Sequence, residues 1–130
     1  MSVQFTTSAL IPAQPAVIYA AWLDSAGHTE MTGAEASCSS EIEGSFQAWG
    51  GYIEGRNLEL EPNKRIVQAW RTSEFSESEP DSRVEISLKM NGDDTEVTIM
   101  HTDLPEHGMQ YLQGWADFYF APMIAYFSQD

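Results

Sequence analysis

The sequence predicts an α+β protein in which a curved antiparallel β-sheet is covered on one face by a long C-terminal helix. Three observations carry this prediction. One strand-like and two short helix-like segments precede residue 36, five or six strand-like segments follow, and an aromatic, helix-like segment covers residues 111–127. Consecutive strands with helices kept apart from them are typical of α+β proteins. The 130 residues fit a single domain, which we expect to span 1–130.

The N-terminal third predicts one strand and two short helices. Alternation with mostly polar neighbours marks the strand at Val3, Phe5, Thr7, Ala9 and Ile11. Pro15 suits the first turn of a helix, because the N–H that proline lacks would have no partner there. Asp24 or Ser25 can cap a second short helix, and Gly33 can end it.

The middle of the chain alternates with a period of two, which predicts antiparallel strands with one wet face. The first of these strands is expected around Cys38, Ser40 and Ile42. Later strands are expected at 84–90, with Val84, Ile86, Leu88 and Met90 on one face, and at 97–101, with Val97, Ile99 and His101 on one face. The acidic segment SEFSESEPDS (73–82) is expected to be an exposed loop.

The direction of the strand at 64–72 depends on the turn EPNK that precedes it. A four-residue turn pairs Leu60 with Arg65, whereas a bulge in the turn reverses which side chains point inward. The two alternative inward sets are Val67, Ala69 and Arg71, or Ile66, Gln68 and Trp70. In the first case Arg71 could bind the carboxylate of a ligand, and otherwise it pairs with a surface acid.

The segment YLQGWADFYFAPMIAYF (111–127) is an aromatic helix that contains Gly114 and Pro122. Pro122 predicts a kink, and Gly114 predicts either a close approach to the sheet or empty space beside the helix. The aromatic stripe of this helix is either packed core or one wall of a cavity. On its other side, Phe120, Ile124 and Phe127 are covered either by the early helix or by a second subunit, so the chain is a monomer or a homodimer.

Composition excludes several classes of function. The net charge of −14 opposes binding to nucleic acid and to anionic membrane surfaces. No apolar run is long enough to cross a membrane, and no secretion signal is visible. Cys38 is the only cysteine, so it forms no disulfide within the chain, and a cytoplasmic location is expected.

Few residues suggest chemistry. His101 is expected on the inner face, as a hydrogen-bonded core histidine or as a general base, with Asp103 pointing the same way. His28 is expected to be exposed or at the rim of a cavity. The three histidines have no tight spacing for a metal, Cys38 is expected to be an inert thiol, and no glycine-rich cofactor motif is present. We therefore predict neither metal nor cofactor, and binding is favoured over catalysis.

Three segments resemble a known family. AWLDSAGHTEMTG (21–33), ELEPNKRIVQAWR (59–71) and GWADFYF (114–120) are similar to the AHSA-type branch of the SRPBCC superfamily, which includes the C-terminal domain of the activator of heat-shock protein 90 ATPase. The resemblance implies a helix-grip (START-like) fold with an apolar cavity between sheet and helix. It also implies three possible functions: binding of a lipid-like or aromatic molecule, interaction with a chaperone, or cyclase- or hydrolase-like catalysis in the same cavity.

The first of these functions is favoured, because tryptophans and tyrosines suit a largely apolar ligand with one polar group. The residues expected to line the cavity are Trp22, His28, Met31, Phe46, Leu58, Leu60, Trp70, Ile86, Leu88, Ile99, His101, Tyr111, Trp115, Phe118 and Tyr119.

Overall fold

A computed structural model describes residues 2–128 and confirms the predicted α+β architecture. Six antiparallel strands form one curved sheet in the order β1-β6-β5-β4-β3-β2. The strands are β1 (Val3–Ile11), β2 (Ser45–Ala48), β3 (Ile53–Glu61), β4 (Arg65–Thr72), β5 (Ser82–Asn91) and β6 (Asp94–Leu104). The C-terminal helical region covers the inner face of this sheet, as in a helix grip.

The two predicted short helices are α1 (Pro15–Leu23) and α2 (Ser25–Thr32). The carboxylate of Asp24 accepts a hydrogen bond from the backbone N–H of Gly27 at 2.8 Å, which caps α2. Gly33 ends α2 in the left-handed conformation, at φ 80°, which a residue without Cβ adopts without strain. Both helix boundaries predicted from the sequence are therefore confirmed.

The strand predicted around Cys38 is wrong, because residues 38–44 form a loop. The side-chain amide of Asn57 donates to the carbonyl oxygens of Ser39 and Glu41, at 2.8 and 2.9 Å. These bonds replace those of a β-ladder, and Asn57 is fully buried beneath the loop. Ile42 is consequently exposed, although the alternation suggested a half-buried position.

The β3–β4 hairpin resolves the direction of β4. Leu60 pairs with Ile66, so the turn is not the simple four-residue one, and Asn63 within it adopts a positive φ of 63°. The bulged alternative is thus correct, and Trp70 points inward, where its ring meets that of Trp115 at a centroid distance of 5.8 Å. A second irregularity falls at Leu58, between the paired residues Asn57 and Glu59.

A bulge near the end of β6 separates His101 from Asp103. The pairing of β1 with β6 shifts between Phe5, opposite His101, and Val3, opposite Leu104. Asp103 has a φ of 59° and is exposed, whereas His101 is fully buried. The expectation that Asp103 points the same way as His101 is therefore wrong, because the bulge interrupts the alternation.

The C-terminal helical region runs over residues 110–127 after a 3₁₀ turn, Glu106–Met109. It consists of α3 (Gln110–Trp115), a π-helical turn (Ala116–Phe120) and α4 (Ala121–Phe127). The N–H of Ala121 bonds to the carbonyl of Ala116, five residues earlier. Pro122 follows in the first turn of α4, so the disturbance expected there takes the form of a π-helical turn.

Arg71 and Phe75 anchor the acidic loop between β4 and β5. Phe75 is buried against the rings of Trp70 and Tyr111, so this part of the loop is not exposed as predicted. The guanidinium of Arg71 points outward, where it donates to Asp81 at 2.9 Å and to two carbonyl oxygens of the loop. Arg71 thus stabilises the loop and is not directed at the inner face.

A helix that crosses a bilayer needs about 20 consecutive, mostly apolar residues. Across the described residues, no helix combines the length and the apolar character that crossing a membrane requires.

Candidate functional site

A cavity of about 350 Å³ lies between the sheet and the C-terminal helical region, at the β2–β3 end of the sheet. Its walls are mostly aromatic. The lining residues are Trp49, Tyr52, Ile53, Trp70, Gln110, Tyr111, Gly114, Trp115, Phe118 and Tyr119.

A turn and a glycine create the space. Trp49 and the two glycines after it all have positive φ, and this left-handed turn brings Trp49 and Tyr52 to the cavity. The ring of Trp49 meets that of Phe118 at a centroid distance of 5.1 Å. Across the cavity, a Cβ built on Gly114 would find only Phe118 Cδ2, at 3.8 Å. Of the two predictions for Gly114, empty space beside the helix is the correct one.

His101 closes the inner end of the aromatic wall. The indole N–H of Trp115 donates to His101 Nδ1 at 3.1 Å, so Nδ1 must be unprotonated. His101 Nε2 then donates to Ser82 Oγ at 2.7 Å, and Ser82 donates to the carbonyl of Trp70 at 3.0 Å. Burial lowers the pKa of His101 to about 3, so the ring is neutral at pH 7.

His28 contacts the aromatic residues of the cavity wall at a second position, and it carries its proton on the other ring nitrogen. Its Nδ1 lies 2.9 Å from the carbonyl oxygen of Trp22, which can only accept, so Nδ1 carries the proton. Its Nε2 therefore accepts from the hydroxyl of Tyr119, at 2.8 Å. Burial lowers the pKa of His28, and this outweighs the opposing effect of the bond to Trp22. The expectation of an exposed or rim position is wrong, because His28 is 2% exposed.

Two tyrosines of the lining bond to residues outside it, and Tyr52, 38% exposed, lies where the cavity opens. Tyr52 donates its hydroxyl to the carboxylate of Glu74, and the hydroxyl of Tyr111 lies 2.6 Å from Thr72 Oγ1. Burial raises the pKa of both phenols, and for Tyr52 the bond to Glu74 raises it further. Both tyrosines are therefore neutral at pH 7.

The indole N–H of Trp49 differs from the other polar groups of the wall. It is buried and has no hydrogen-bond partner among residues 2–128. A buried donor without a partner costs about 1–3 kcal/mol. An acceptor that reached this N–H would recover part of that cost.

The fifteen residues predicted to line the cavity lie in different parts of the structure, and only some of them reach the cavity. Five of them do so: Trp70, Tyr111, Trp115, Phe118 and Tyr119. Eight others are buried in the packed core instead: Trp22, His28, Met31, Phe46, Ile86, Leu88, Ile99 and His101. Leu60 is half-buried against that core, and Leu58 lies at the β3 bulge. Side chains thus fill most of the inner face of the sheet, and the cavity lies at its β2–β3 end.

Sequence reasoning missed Trp49, Tyr52, Ile53 and Gln110. The first two flank the pair of glycines in AWGGYIEG. Aromatic residues on both sides of two glycines signal a turn that brings them together.

The face predicted for dimerisation is partly used within the chain. Phe120 is buried in the core, 5% exposed, so it is not free to meet a second subunit. Ile124 is 40% exposed and Phe127 is partly buried. The choice between monomer and homodimer stays a prediction, which light scattering after size exclusion decides.

His101 and Cys38 are side chains near the cavity that could take part in acid–base or nucleophilic chemistry. His101 is neutral and enclosed, with both ring nitrogens in hydrogen bonds. Cys38, in the loop before β2, has a pKa raised to about 11 by burial and by Asp24, so its reactive thiolate is scarce at pH 7. Within the part of the chain that the structure describes, no three His, Cys, Asp or Glu side chains are grouped to hold a metal ion.

Comparison with known proteins identifies relatives along most of the chain. The model of the family described as Activator of Hsp90 ATPase homolog 1-like protein matches residues 12–128. An activator of 90 kDa heat shock protein ATPase homolog from Dictyostelium discoideum is 36% identical over 74 residues. These residues are 55% of this chain but only 19% of that relative, so the chain spans a small part of its length.

Solved structures share the fold at lower identity. An HSP90 activator from Plasmodium falciparum superposes with a TM-score of 0.82 at 19% identity, over 94% of each chain. The Aha1 dimer from Colwellia psychrerythraea gives a TM-score of 0.78 at 20% identity, over 95% of each chain. At such identities the likeness establishes the fold alone.

Proposed function

The chain belongs to the Activator of Hsp90 ATPase homolog 1-like family, and we propose that it binds a small, largely apolar ligand in the cavity beside its C-terminal helical region. The cavity itself is the observation that carries the proposal. Its volume of about 350 Å³ lies within the range of small-molecule sites, which is roughly 300–1,000 Å³. The proposal includes no catalytic step.

Most polar atoms of the cavity walls already have partners within the protein, which favours an apolar ligand. Tyr111, Trp115 and Tyr119 all line the cavity, but each gives its polar atom to another protein group. Their rings therefore supply apolar surface, whose burial by a ligand is favourable in proportion to its area. The unpaired N–H of Trp49 supports one acceptor on that ligand.

A thermal-shift screen tests the proposal. Fatty acids, sterols and small aromatic compounds are added to the protein, and a ligand at about 100 times its Kd should stabilise the native state by about 2.7 kcal/mol. The matched variants are Gly114→Leu, whose side chain would fill the cavity, and Gly114→Ala, which adds one methyl group. Leucine and alanine have similar helix propensities, so the two variants differ mainly in the volume they occupy.

The expected result is a hit that Gly114→Ala retains and that Gly114→Leu loses about tenfold or more in Kd. A hit that survives Gly114→Leu would place binding elsewhere. No hit across the three compound classes would contradict the proposal.

A second candidate is a chaperone interaction that stimulates an ATPase. It is favoured by the names of the Dictyostelium relative and of the Plasmodium structure, both of which refer to activation of a 90-kDa heat-shock protein. The test is the ATPase rate of a bacterial Hsp90 with and without this protein. A rate that rises equally with wild type and with Gly114→Leu supports an interaction surface separate from the cavity. An unchanged rate contradicts this candidate.

A further inference from the structure

We propose that the ligand of this cavity is an organic cation, a quaternary or tertiary ammonium group with apolar substituents. The inference rests on the proposed ligand-binding function and specifies the charge of the ligand. It depends on three properties of the cavity: what its walls present, which charges its lining lacks, and which charge lies at its mouth.

The walls present aromatic rings rather than hydrogen-bonding groups. Seven of the ten lining residues are Trp, Tyr or Phe. The hydroxyls of Tyr52, Tyr111 and Tyr119 and the indole N–H of Trp115 are bonded to protein groups. Apart from the N–H of Trp49 and the amide of Gln110, the lining offers a ligand mainly ring surface, and the faces of aromatic rings carry negative charge that attracts cations.

The lining includes no positive side chain to meet an anion. None of the ten lining residues is Lys or Arg. Arg56, Arg65, Arg71 and Arg83 all form ion pairs with Glu or Asp of the strands and loops of the sheet. A ligand carboxylate or phosphate in the cavity would lose water and find only neutral donors, such as the N–H of Trp49, rather than a positive charge, which is unfavourable.

A carboxylate lies at the mouth of the cavity. Glu74 accepts a hydrogen bond from the hydroxyl of Tyr52, and this bond holds a negative charge beside the phenol that lines the cavity. His107 is the titratable base packed on the ring of Tyr111, at a centroid distance of 6.2 Å. Its Nε2 pairs with Glu79 at 3.0 Å, so a proton on it is balanced by that acid. With a net charge of −14, the protein as a whole also attracts cations.

The experiment compares three molecules of similar size and different charge. Phenyltrimethylammonium is the cation, tert-butylbenzene is its neutral isostere and benzoate is the anion. Kd values are measured by titration, with the quenching of tryptophan fluorescence as the signal. We expect the cation to bind about tenfold more tightly than the neutral isostere and benzoate to bind most weakly.

A matched pair of variants tests the charge at the mouth. Glu74→Gln removes the carboxylate beside Tyr52, and Glu77→Gln makes the same change at a second exposed position of the same loop. Glu74→Gln should weaken the cation several-fold and leave tert-butylbenzene unchanged. Glu77→Gln should change neither by more than about twofold, because within residues 2–128 Glu77 is not hydrogen-bonded to a lining residue, whereas Glu74 accepts from Tyr52.

Each outcome decides between the two proposals. Equal affinity for the cation and its isostere, or tighter binding of benzoate, overturns the charge inference but leaves the cavity as a ligand site. Equal effects of the two Glu→Gln variants on the cation overturn the role of Glu74. If neither the cation nor its isostere binds, the charge inference fails, and the ligand-binding proposal fails with it only if the thermal-shift screen also gives no hit.

Discussion

The two ends of the aromatic wall have similar composition but opposite character. At the inner end, Trp22 stacks on Tyr119 at a centroid distance of 5.1 Å, and two histidines bond the wall to the sheet and to α1. At the outer end, Trp49 and Phe118 meet across a turn and leave a cavity of about 350 Å³. We call these the histidine end and the cavity end.

The difference shows what turns a cluster of aromatic residues into packed core. Rings alone do not do so, since both ends are rich in them. At the histidine end, each imidazole accepts a hydrogen bond from one wall residue and donates its own N–H to a neighbouring group. At the cavity end, Gly114 contributes no side chain and Trp49 has an N–H without a partner among the described residues. The end at which the polar atoms have hydrogen-bond partners is therefore also the end at which side chains fill the space.

Of the substitutions that distinguish the two ends, replacing His101 should have the largest effect on the free energy of unfolding. The variant His101→Ala leaves the N–H of Trp115 and the hydroxyl of Ser82 without this partner, and it opens a void. The two costs together suggest a loss of about 3–5 kcal/mol in the free energy of unfolding. Urea denaturation measures the loss.

The control is His107→Ala, at the more exposed histidine that pairs with Glu79. It should cost about 0.5 kcal/mol, as is usual for a partly exposed ion pair. Similar losses for the two variants would mean that the histidine end is not held by hydrogen bonds.

Lowering the pH should reduce the free energy of unfolding between the pKa values of His101 in the unfolded and folded protein. The pKa of His101 is about 3 in the folded protein and near 6.5 in an unfolded chain, so between these values the unfolded state binds more protons. The contribution of neutral His101 to the free energy of unfolding is therefore fully present above about pH 6.5, and it is lost as the pH decreases toward 3. Between pH 6.5 and 5 the fall should be about 1.5–2 kcal/mol from His101, and His28, whose pKa burial also lowers, adds to it.

Urea midpoints at pH 7 and pH 5 measure this dependence. The variant His101→Gln, whose amide can both accept and donate, should keep the fold and lose much of the pH slope. A slope unchanged by this variant would show that other groups dominate acid unfolding. Nitrogen NMR supplies a second check, since His28 should carry its proton on Nδ1 and His101 on Nε2.

Substitution at the cavity end should have the smallest effect, with the opposite sign. Gly114→Ala meets only Phe118 Cδ2 at 3.8 Å, so it adds a methyl group without a clash. Because glycine costs about 0.5–1 kcal/mol relative to alanine inside a helix, the variant should be more stable by that amount. Differential scanning calorimetry should show a Tm about 2–5 °C higher. A lower Tm would mean that the space beside Gly114 is needed by the fold itself.

The sequence predicted the architecture because strand alternation and helix caps are local signals. Pro15, Asp24 and Gly33 marked helix boundaries that the structure confirms. The clearest failure on a strand falls where one residue breaks the alternation. Asp103 adopts a positive φ and displaces the side chains next to it, whereas Asn63, also at positive φ, selects one of the two directions that the sequence left open for β4. Bulges depend on pairing with a distant strand, so a single sequence carries little trace of them.

The candidate site was predicted less well than the fold. The helix side of the cavity, including Tyr111, Trp115 and Phe118, followed from helical periodicity. The opposite side did not, because Trp49 and Tyr52 reach the cavity from a left-handed turn. His28 was misplaced because its burial depends on a bond to Tyr119, 91 residues further along the chain.

The π-helical turn at Ala116–Phe120 also affects which lengths of chain this fold accepts. A π turn behaves as an α-helix with one inserted residue, and each α-helical residue rotates the chain by about 100°. Deleting one residue between 116 and 120 could restore an unbroken α-helix. In an unbroken α-helix of the present length, Met123, now fully buried, would be rotated by about 120° from Tyr111, whereas the deletion would bring it within about 20° of the same face. The π turn thus sets the sequence spacing of the buried residues on the two sides of it. A homologous helix that grips a sheet without such a turn must place the buried residues after that point one position earlier in its sequence.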